Sequence, residues 1–110
     1  MDLFVHTGPF ETFCQTVQEA MASGVPVVAP AVGGPLDLVD HGRTGLLVPP
    51  FDAAAVQEAV RALAADPARR AVYGAAARAT VEGRTWAAVG DQLLTHYDDV
   101  LAARKTAVAA

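Results

Sequence analysis

Two glutamates separated by seven residues are the groups whose spacing suggests chemistry. Glu11 and Glu19 lie in the stretch GPFETFCQTVQEAMASGVP, residues 8–26. Each carboxylate is an acceptor that can bind two hydroxyl groups at once. An eight-residue step along a helix rises about 12 Å and turns by roughly 80°. Two acids at this separation do not bind one atom. They either line one side of an extended ligand or are solvated glutamates at a helix edge.

A helix from Thr12 to Ser23 is predicted to carry Glu19, because apolar residues recur at helical spacing. The core-facing positions are Phe13, Val17, Ala20 and Met21. A polar stripe lies beside them at Thr12, Thr16 and Glu19. Gly24 and Pro26 follow as a stop signal. The amino end of such a helix can bind an anion such as phosphate without any lysine.

Three short apolar runs predict buried strands at residues 2–7, 25–31 and 44–50. Helical segments separate these strands, and the one at residues 36–40 has one or two turns. Strands that alternate with helices predict an α/β fold with an open parallel sheet. Doubly wound domains usually have five or six strands, whereas about three are predicted here. The chain is therefore expected to be the back end of a domain, with a partial Rossmann-like sheet.

The remainder of the chain is predicted to be helical. Asp52 and Asp66 cap two successive helices, and Pro67 stands at the first helical position of the second. Thr85 caps a last helix, whose apolar residues are expected in the core or at a domain contact: Trp86, Val89, Leu93, Leu94, Tyr97 and Leu101. The predicted organisation is one truncated domain, with an α/β segment at 1–50, helices at 51–104 and a frayed tail at 105–110.

Composition narrows the classes of partner and compartment. The net charge is −4 and the eight basic residues are scattered, which argues against a nucleic-acid partner. A single cysteine excludes an internal disulfide and a four-cysteine metal site. No apolar run approaches the roughly 20 residues that cross a bilayer. The opening residues lack the features of a signal peptide, so a cytoplasmic chain is expected.

Two further residues have polar groups near the predicted strand ends. His6 lies at the carboxyl end of the first strand, where ligands often bind in α/β sheets. The alternative for His6 is a packing or loop histidine. Arg43 is either a surface loop cation or a contact to phosphate. His41 and His96 are expected at the surface.

Cys14 and the Gly33–Gly34 pair each have two interpretations. A cysteine near a helix amino end can have a lowered pKa, but no base is spaced to activate Cys14. A small packing residue is therefore expected there. The glycine pair is interpreted as turn chemistry in preference to a phosphate cradle, because no G-x-G-x-x-G pattern follows it.

The string FETFCQTVQEAMASGVPVVAP resembles the donor-binding segment of retaining glycosyltransferases with the GT-B fold, of the family 4 type. Further matches follow in the family's order: Gly33-Gly34 with Asp37 and Val39, then GRTGLLVPP, DPARR, GAAAR, Trp86 and Tyr97. The resemblance covers residues 2–97. The nearest likeness is to mannosyltransferases that use GDP-mannose.

The resemblance implies a role for each part of the 8–26 stretch. Glu11 would contact hydroxyls of the transferred sugar, close to the reacting carbon. Glu19 would bind the two ribose hydroxyls. The backbone N–H groups at the start of the helix would face the sugar and diphosphate of the donor; they belong to Phe13, Cys14, Gln15 and Thr16. The resemblance implies no metal ion and no cofactor beyond the nucleotide-sugar substrate.

The same resemblance places other parts of the enzyme upstream of this chain. The family has an Arg and a Lys that clamp the diphosphate, and an N-terminal domain that binds the acceptor. A chain without them is expected to be inactive alone, and to associate with that missing domain or with itself through exposed helices. Peripheral membrane contact of the full enzyme remains compatible with this interpretation. The alternatives are a non-catalytic module that binds a nucleotide or phosphosugar, and a structural fragment that self-associates.

Overall fold

The computed structural model describes residues 1–109 of the chain, as three strands and five helices. The strands are β1 (Phe4–Val5), β2 (Val27–Pro30) and β3 (Gly45–Val48). The helices are α1 (Gln15–Ala22), α2 (Gly34–Leu38), α3 (Ala53–Ala64), α4 (Pro67–Val81) and α5 (Trp86–Ala109). The predicted α/β class, with a parallel sheet followed by helices, is confirmed.

The sheet is parallel and its strands lie side by side in chain order, β1-β2-β3. Successive residues of β2 face opposite sides, so Val27 and Ala29 join one apolar cluster and Val28 joins the other. The first cluster packs β2 against α1, α2 and the second half of α4. The second cluster packs β2 and β3 against α3 and Tyr73 of α4. Apolar burial on both faces fixes the sheet, and the carboxyl ends of its strands meet at one edge.

The last three helices have the N-cap residues that the sequence predicts. The carboxylate of Asp52 accepts a hydrogen bond from the N–H of Ala55 at 2.9 Å, and Asp66 caps α4 in the same way. The Thr85 hydroxyl accepts one from the N–H of Ala88 at 3.0 Å, at the start of α5. These caps satisfy donors that a helix end leaves unpaired.

Several element boundaries differ from prediction. The strands are shorter than the apolar runs, and Val5 of β1 is 37% exposed because β1 pairs on one side only, with β2. The helix α2 begins at Gly34 and not at residue 36, within the predicted turn. The helix α1 begins at Gln15 and not at Thr12.

The long helix α5 extends away from the rest of the chain, and the chain measures 61 Å along its longest axis. None of its residues, as far as the structure describes them, is buried. Of the two alternatives for Trp86 and Tyr97, a place in the core of this chain is excluded, since they are 94% and 57% exposed, and a domain contact stays a prediction. The helix continues to Ala109, through most of the segment predicted to fray.

No helix among residues 1–109 is both long enough and apolar enough to span a bilayer.

Candidate functional site

The loop at residues 8–14 connects the carboxyl end of β1 to the amino end of α1. It ends at Cys14, which has φ 55° and ψ 50° and is 1% exposed. A residue other than glycine in this left-handed region is uncommon and costs about 1–2 kcal/mol. The turn at Cys14 breaks the helical path between Phe13 and Gln15. This is why α1 begins three residues later than the periodicity predicts.

Gly33 and Gly34 support this loop from the neighbouring strand connection. The N–H of Gly34 donates to the carbonyl oxygen of Glu11 at 2.8 Å. A Cβ on Gly34 would lie 2.5 Å from the carbonyl oxygen of Thr12, and one on Gly33 would lie 2.7 Å from that of Glu11. Backbone contacts this close leave no room for a side chain. The glycine pair therefore sets the position of the segment that carries Glu11.

The amino end of α1 is accessible and has free donors. Across the described part of the chain, the N–H groups of residues 15, 16 and 17 have no acceptor. The N-cap residue Cys14 makes no side-chain capping bond to them. Gln15 and Thr16 are exposed. Free N–H groups and the helix dipole make this end suited to an anionic ligand.

Two cavities flank this helix and share Glu19. One has a volume of about 270 Å³ and lies between Thr16, Glu19 and the edge strand residue Phe4. The other has a volume of about 410 Å³ and includes Gln15 and Arg84. Glu19 therefore stands on a ridge between two concave surfaces, within one turn of the free N–H groups.

Glu11 and Glu19 are both exposed, but only Glu19 lies on the helix. A rise of about 12 Å between these two residues is expected for a single continuous helix. It does not apply, because Glu11 precedes the first residue of α1 by four positions. The position of Glu11 depends on the loop and on its carbonyl contact with Gly34.

Phe13 does not face the core as the periodicity predicts. It precedes α1 and is 70% exposed. Its carbonyl oxygen accepts a hydrogen bond from the Gln18 side-chain amide at 2.8 Å, and the amide oxygen of Gln18 accepts one from Arg84 at 3.4 Å. Arg84 thus places a cation beside the amino half of α1. The sequence pattern did not single out Gln18 or Arg84, because their contact joins positions 66 residues apart.

Cys14 is a packing residue in this site. Burial raises the pKa of its thiol above the usual value, and the nearby carboxylate of Glu11 adds to this effect. A protonated, buried thiol is a poor nucleophile. The geometry agrees with the small packing residue expected at this position.

His6 and Arg43 lie in different places. His6 follows β1 and lines a further cavity of about 410 Å³ at the carboxyl edge of the sheet; its Nε2 atom is buried and unpartnered among the described residues. Arg43 precedes the amino end of β3, at the opposite edge, and its guanidinium forms an ion pair with Asp40 at 2.6 Å. The structure therefore does not bring Arg43 to the amino end of α1. His41 is exposed and its Nδ1 accepts the N–H of Leu47 at 3.0 Å, a loop contact.

Residues 1–109 contain no group of three or more His, Cys, Asp or Glu side chains placed to hold a metal ion.

Comparison with known proteins assigns the family. The family described as "Glycosyl transferases group 1" matches residues 1–80. A GDP-mannose-dependent alpha-mannosyltransferase of Mycolicibacterium smegmatis is 58% identical over 106 residues, which is 94% of this chain and 27% of that protein.

Two solved structures have the same fold as this chain. Sucrose-phosphate synthase from Thermosynechococcus elongatus is 40% identical, with a TM-score of 0.79 over 90% of this chain and 25% of that one. Anabaena Alr3699/HepE in complex with UDP-glucose is 28% identical, with a TM-score of 0.79 over 89% of this chain and 28% of that one. These neighbours are GT-B glycosyltransferases. The chain spans about a quarter of the length of the relatives that it matches, and it belongs to the group 1 glycosyl transferases.

Proposed function

We propose that this chain forms the nucleotide-sugar half-site of a retaining, family 4 type hexosyltransferase, with GDP-mannose as donor. The observation that carries the proposal is the amino end of α1, where free N–H groups, an exposed Glu19 and two cavities occur together. The similarity to GDP-mannose-dependent alpha-mannosyltransferases supports the choice of donor. A GT-B neighbour whose structure contains UDP-glucose supports a nucleotide sugar as the ligand class.

In this proposal the donor lies across the start of α1. The N–H groups of residues 15–17 bind the diphosphate, because they have no acceptor elsewhere in the described structure and lie at the positive end of the helix dipole. Glu19, one turn along, accepts hydrogen bonds from the two ribose hydroxyls. Glu11 contacts the transferred sugar from the loop that Gly34 holds in place.

The backbone N–H groups of residues 15–17 stabilise the charge that develops on the departing diphosphate. They are fixed before the reaction, since α1 packs through Val17 and Met21, both fully buried. Fixed dipoles lower the free energy of a charged transition state without reorganisation. Arg84 adds a positive charge on the same side of α1, through its contact with Gln18.

The proposal includes a partner for α5. Eight of its apolar side chains are exposed: Trp86, Val89, Leu93, Leu94, Tyr97, Val100, Leu101 and Val108. At 100° per residue they fall within an arc of about 140° on one side of the helix. We assign this face to contact with an N-terminal domain of the full enzyme or with a second copy of the chain. We also propose that the isolated chain does not catalyse sugar transfer and that it is located in the cytoplasm.

Calorimetric titration of the 110-residue chain with GDP-mannose tests the donor site. Binding should weaken about tenfold in Glu19→Ala, because charged hydrogen-bond acceptors contribute strongly to affinity. The matched control is Glu58→Ala, which removes an exposed glutamate from α3. Equal binding by wild type and Glu19→Ala would contradict the assignment. Incubation with labelled GDP-mannose and an acceptor extract should give no transfer, and efficient transfer would show that the chain is active alone.

A further inference from the structure

The carbonyl oxygen of Phe13 has a side-chain partner at the start of α1. In an uninterrupted helix this oxygen would accept the N–H of residue 17, four positions later. The left-handed turn at Cys14 prevents that bond, and the N–H of residue 17 has no acceptor among the described residues. The Gln18 amide donates to the Phe13 oxygen instead, at 2.8 Å. A side chain five residues along therefore replaces the missing helical donor.

The carbonyl oxygen of Glu11 also has a partner from outside the helical pattern. It accepts the N–H of Gly34 at 2.8 Å, where a continued helix would offer the N–H of residue 15. The loop is thus held at two points, by Gly34 at Glu11 and by Gln18 at Phe13. Contacts of this kind are needed because the turn at Cys14 is strained, and strained backbone persists only where its surroundings impose it.

The orientation of the Gln18 amide is fixed by a residue at the far end of α4. The amide oxygen accepts from Nη1 of Arg84 at 3.4 Å, and the amide nitrogen faces the Phe13 oxygen. Arg84 offers only donors and a backbone carbonyl only accepts, so the amide fits between them in one orientation. The side chain of Gln18 therefore links α4 to the loop that carries Glu11.

The amide is the chemical group that this position requires. A glutamate of the same length would accept from Arg84 but could not donate to Phe13, and a methionine could do neither. Without the donor, the Phe13 oxygen would be left to the N–H of residue 17, which also needs a partner. The apolar periodicity that continues through Phe13 favours this helical alternative, and the change would remove the strain at Cys14.

From these contacts we infer that Gln18 is a positioning residue for the transfer reaction. Its amide holds the Phe13 carbonyl, and with it the loop conformation that presents Glu11 to the sugar of the donor. The inference rests on the proposed function, which assigns Glu11 to the transferred sugar. Gln18 acts through the backbone two residues after Glu11. Its effect is therefore on the sugar more than on the nucleotide, whose ribose is assigned to Glu19 on the helix itself.

The variant Gln18→Met tests the inference, because methionine has a similar length and helix propensity but cannot donate. In NMR of the ¹⁵N-labelled chain, the three-bond coupling between the N–H and Hα of Cys14 reports φ, and it should move toward the helical value. The ratio of the calorimetric affinities for GDP-mannose and GDP should fall about fivefold, the usual net effect of one hydrogen bond. The matched control is Gln57→Met in α3, where the glutamine is exposed; it should match wild type in both measurements.

Two further variants separate positioning from a general structural role. Gln18→Lys restores a donor that can reach the Phe13 oxygen, so its Cys14 coupling should equal that of wild type. When Gln18→Met is added to Glu11→Gln, the affinity ratio should fall no further, because the glutamine acts through Glu11. A glutamine that only stabilised the helix would change the ratio by the same factor in both backgrounds, and that result would contradict the inference.

An unchanged Cys14 coupling in Gln18→Met, or an affinity ratio equal to that of Gln57→Met, would overturn the inference. The donor site fails in a different measurement. If neither nucleotide binds the wild-type chain but the Cys14 coupling changes in Gln18→Met alone, the control of the loop stands and the proposed donor is wrong. If binding depends on Glu11 and Glu19 but the ratio is unaffected by Gln18→Met, the donor site stands and the role of Gln18 is wrong.

Discussion

The substitution Gly34→Ala tests how the loop carrying Glu11 is held. The added Cβ would lie 2.5 Å from the carbonyl oxygen of Thr12 and 2.8 Å from the Sγ of Cys14. Ordinary van der Waals contact begins near 3.4 Å, so the Thr12 carbonyl would have to move by about 0.9 Å. Overpacking of this kind costs about 1–3 kcal/mol. Gly34 is the first residue of the short helix α2, so alanine regains only a small part of the roughly 1 kcal/mol by which it exceeds glycine in a helix interior.

The expected net loss for Gly34→Ala is therefore about 1–3 kcal/mol of unfolding free energy. A domain of this size loses about 4–8 °C in Tm for each kcal/mol. Urea unfolding followed by far-UV circular dichroism measures the loss. The affinity for GDP should fall as well, because the shifted carbonyl lies between Glu11 and the start of α1.

The matched control is Gly83→Ala. A Cβ at Gly83 meets no atom within 4 Å, so the alanine should leave stability unchanged or raise it by less than about 1 kcal/mol. If Gly34→Ala were as stable as Gly83→Ala and bound GDP equally well, the close packing of Gly34 on the loop would not control the site.

Four further outcomes follow from the structure. Burial and the Glu11 carboxylate raise the pKa of Cys14, so the native state binds this proton more tightly than the unfolded state does. The unfolding free energy should therefore be unaffected by this group below about pH 8.5 and should fall as the pH rises further. Iodoacetamide should label the folded chain slowly at neutral pH. Asp66→Ala should lower the unfolding free energy by about 1 kcal/mol in urea, through loss of the α4 cap. Leu94→Ser should change it by less than about 0.5 kcal/mol in dilute solution, since no described residue of α5 is buried. Arg43→Ala should leave the calorimetric affinity for GDP unchanged, because Arg43 is at the other edge of the sheet. A large effect of Leu94→Ser or Arg43→Ala would contradict these placements.

The helices α3 and α4 could be predicted from the sequence because their signals are local. Asp52 and Asp66 each accept a hydrogen bond from a backbone N–H three residues later, and the pattern of residue types reveals such caps. The order of strands and helices likewise follows from short apolar runs separated by Gly and Pro.

The start of α1 could not be predicted in the same way. Hydrophobic periodicity continues through Phe13, but the backbone at Cys14 turns left-handed and its side chain packs beside Gly34. Contacts of this kind join segments that are distant in sequence. The link between Gln18 and Arg84 is a second example, and no pattern within either segment indicates it.

No local pattern indicates the exposure of α5; only the resemblance, which implies association through exposed helices, predicts it. Its apolar stripe has the spacing of a core-facing helix, and an apolar arc of this width usually packs on something. Within residues 1–109 nothing covers it, although Trp86 and Leu94 have the residue types of a core. The periodicity identifies an apolar face that needs a packing partner, but it does not show what that partner is.

The central claim is that an extended donor has its sugar at Glu11 and its ribose at Glu19. The most direct measurement compares the calorimetric affinities of GDP and GDP-mannose in Glu11→Gln, Glu19→Gln and the control Glu58→Gln. Loss of charge at Glu19 should weaken both ligands by the same factor, about tenfold, because both contain the ribose. Loss at Glu11 should weaken GDP-mannose alone. Weakening of GDP by Glu11→Gln, or wild-type binding of both ligands by Glu19→Gln, would contradict the account.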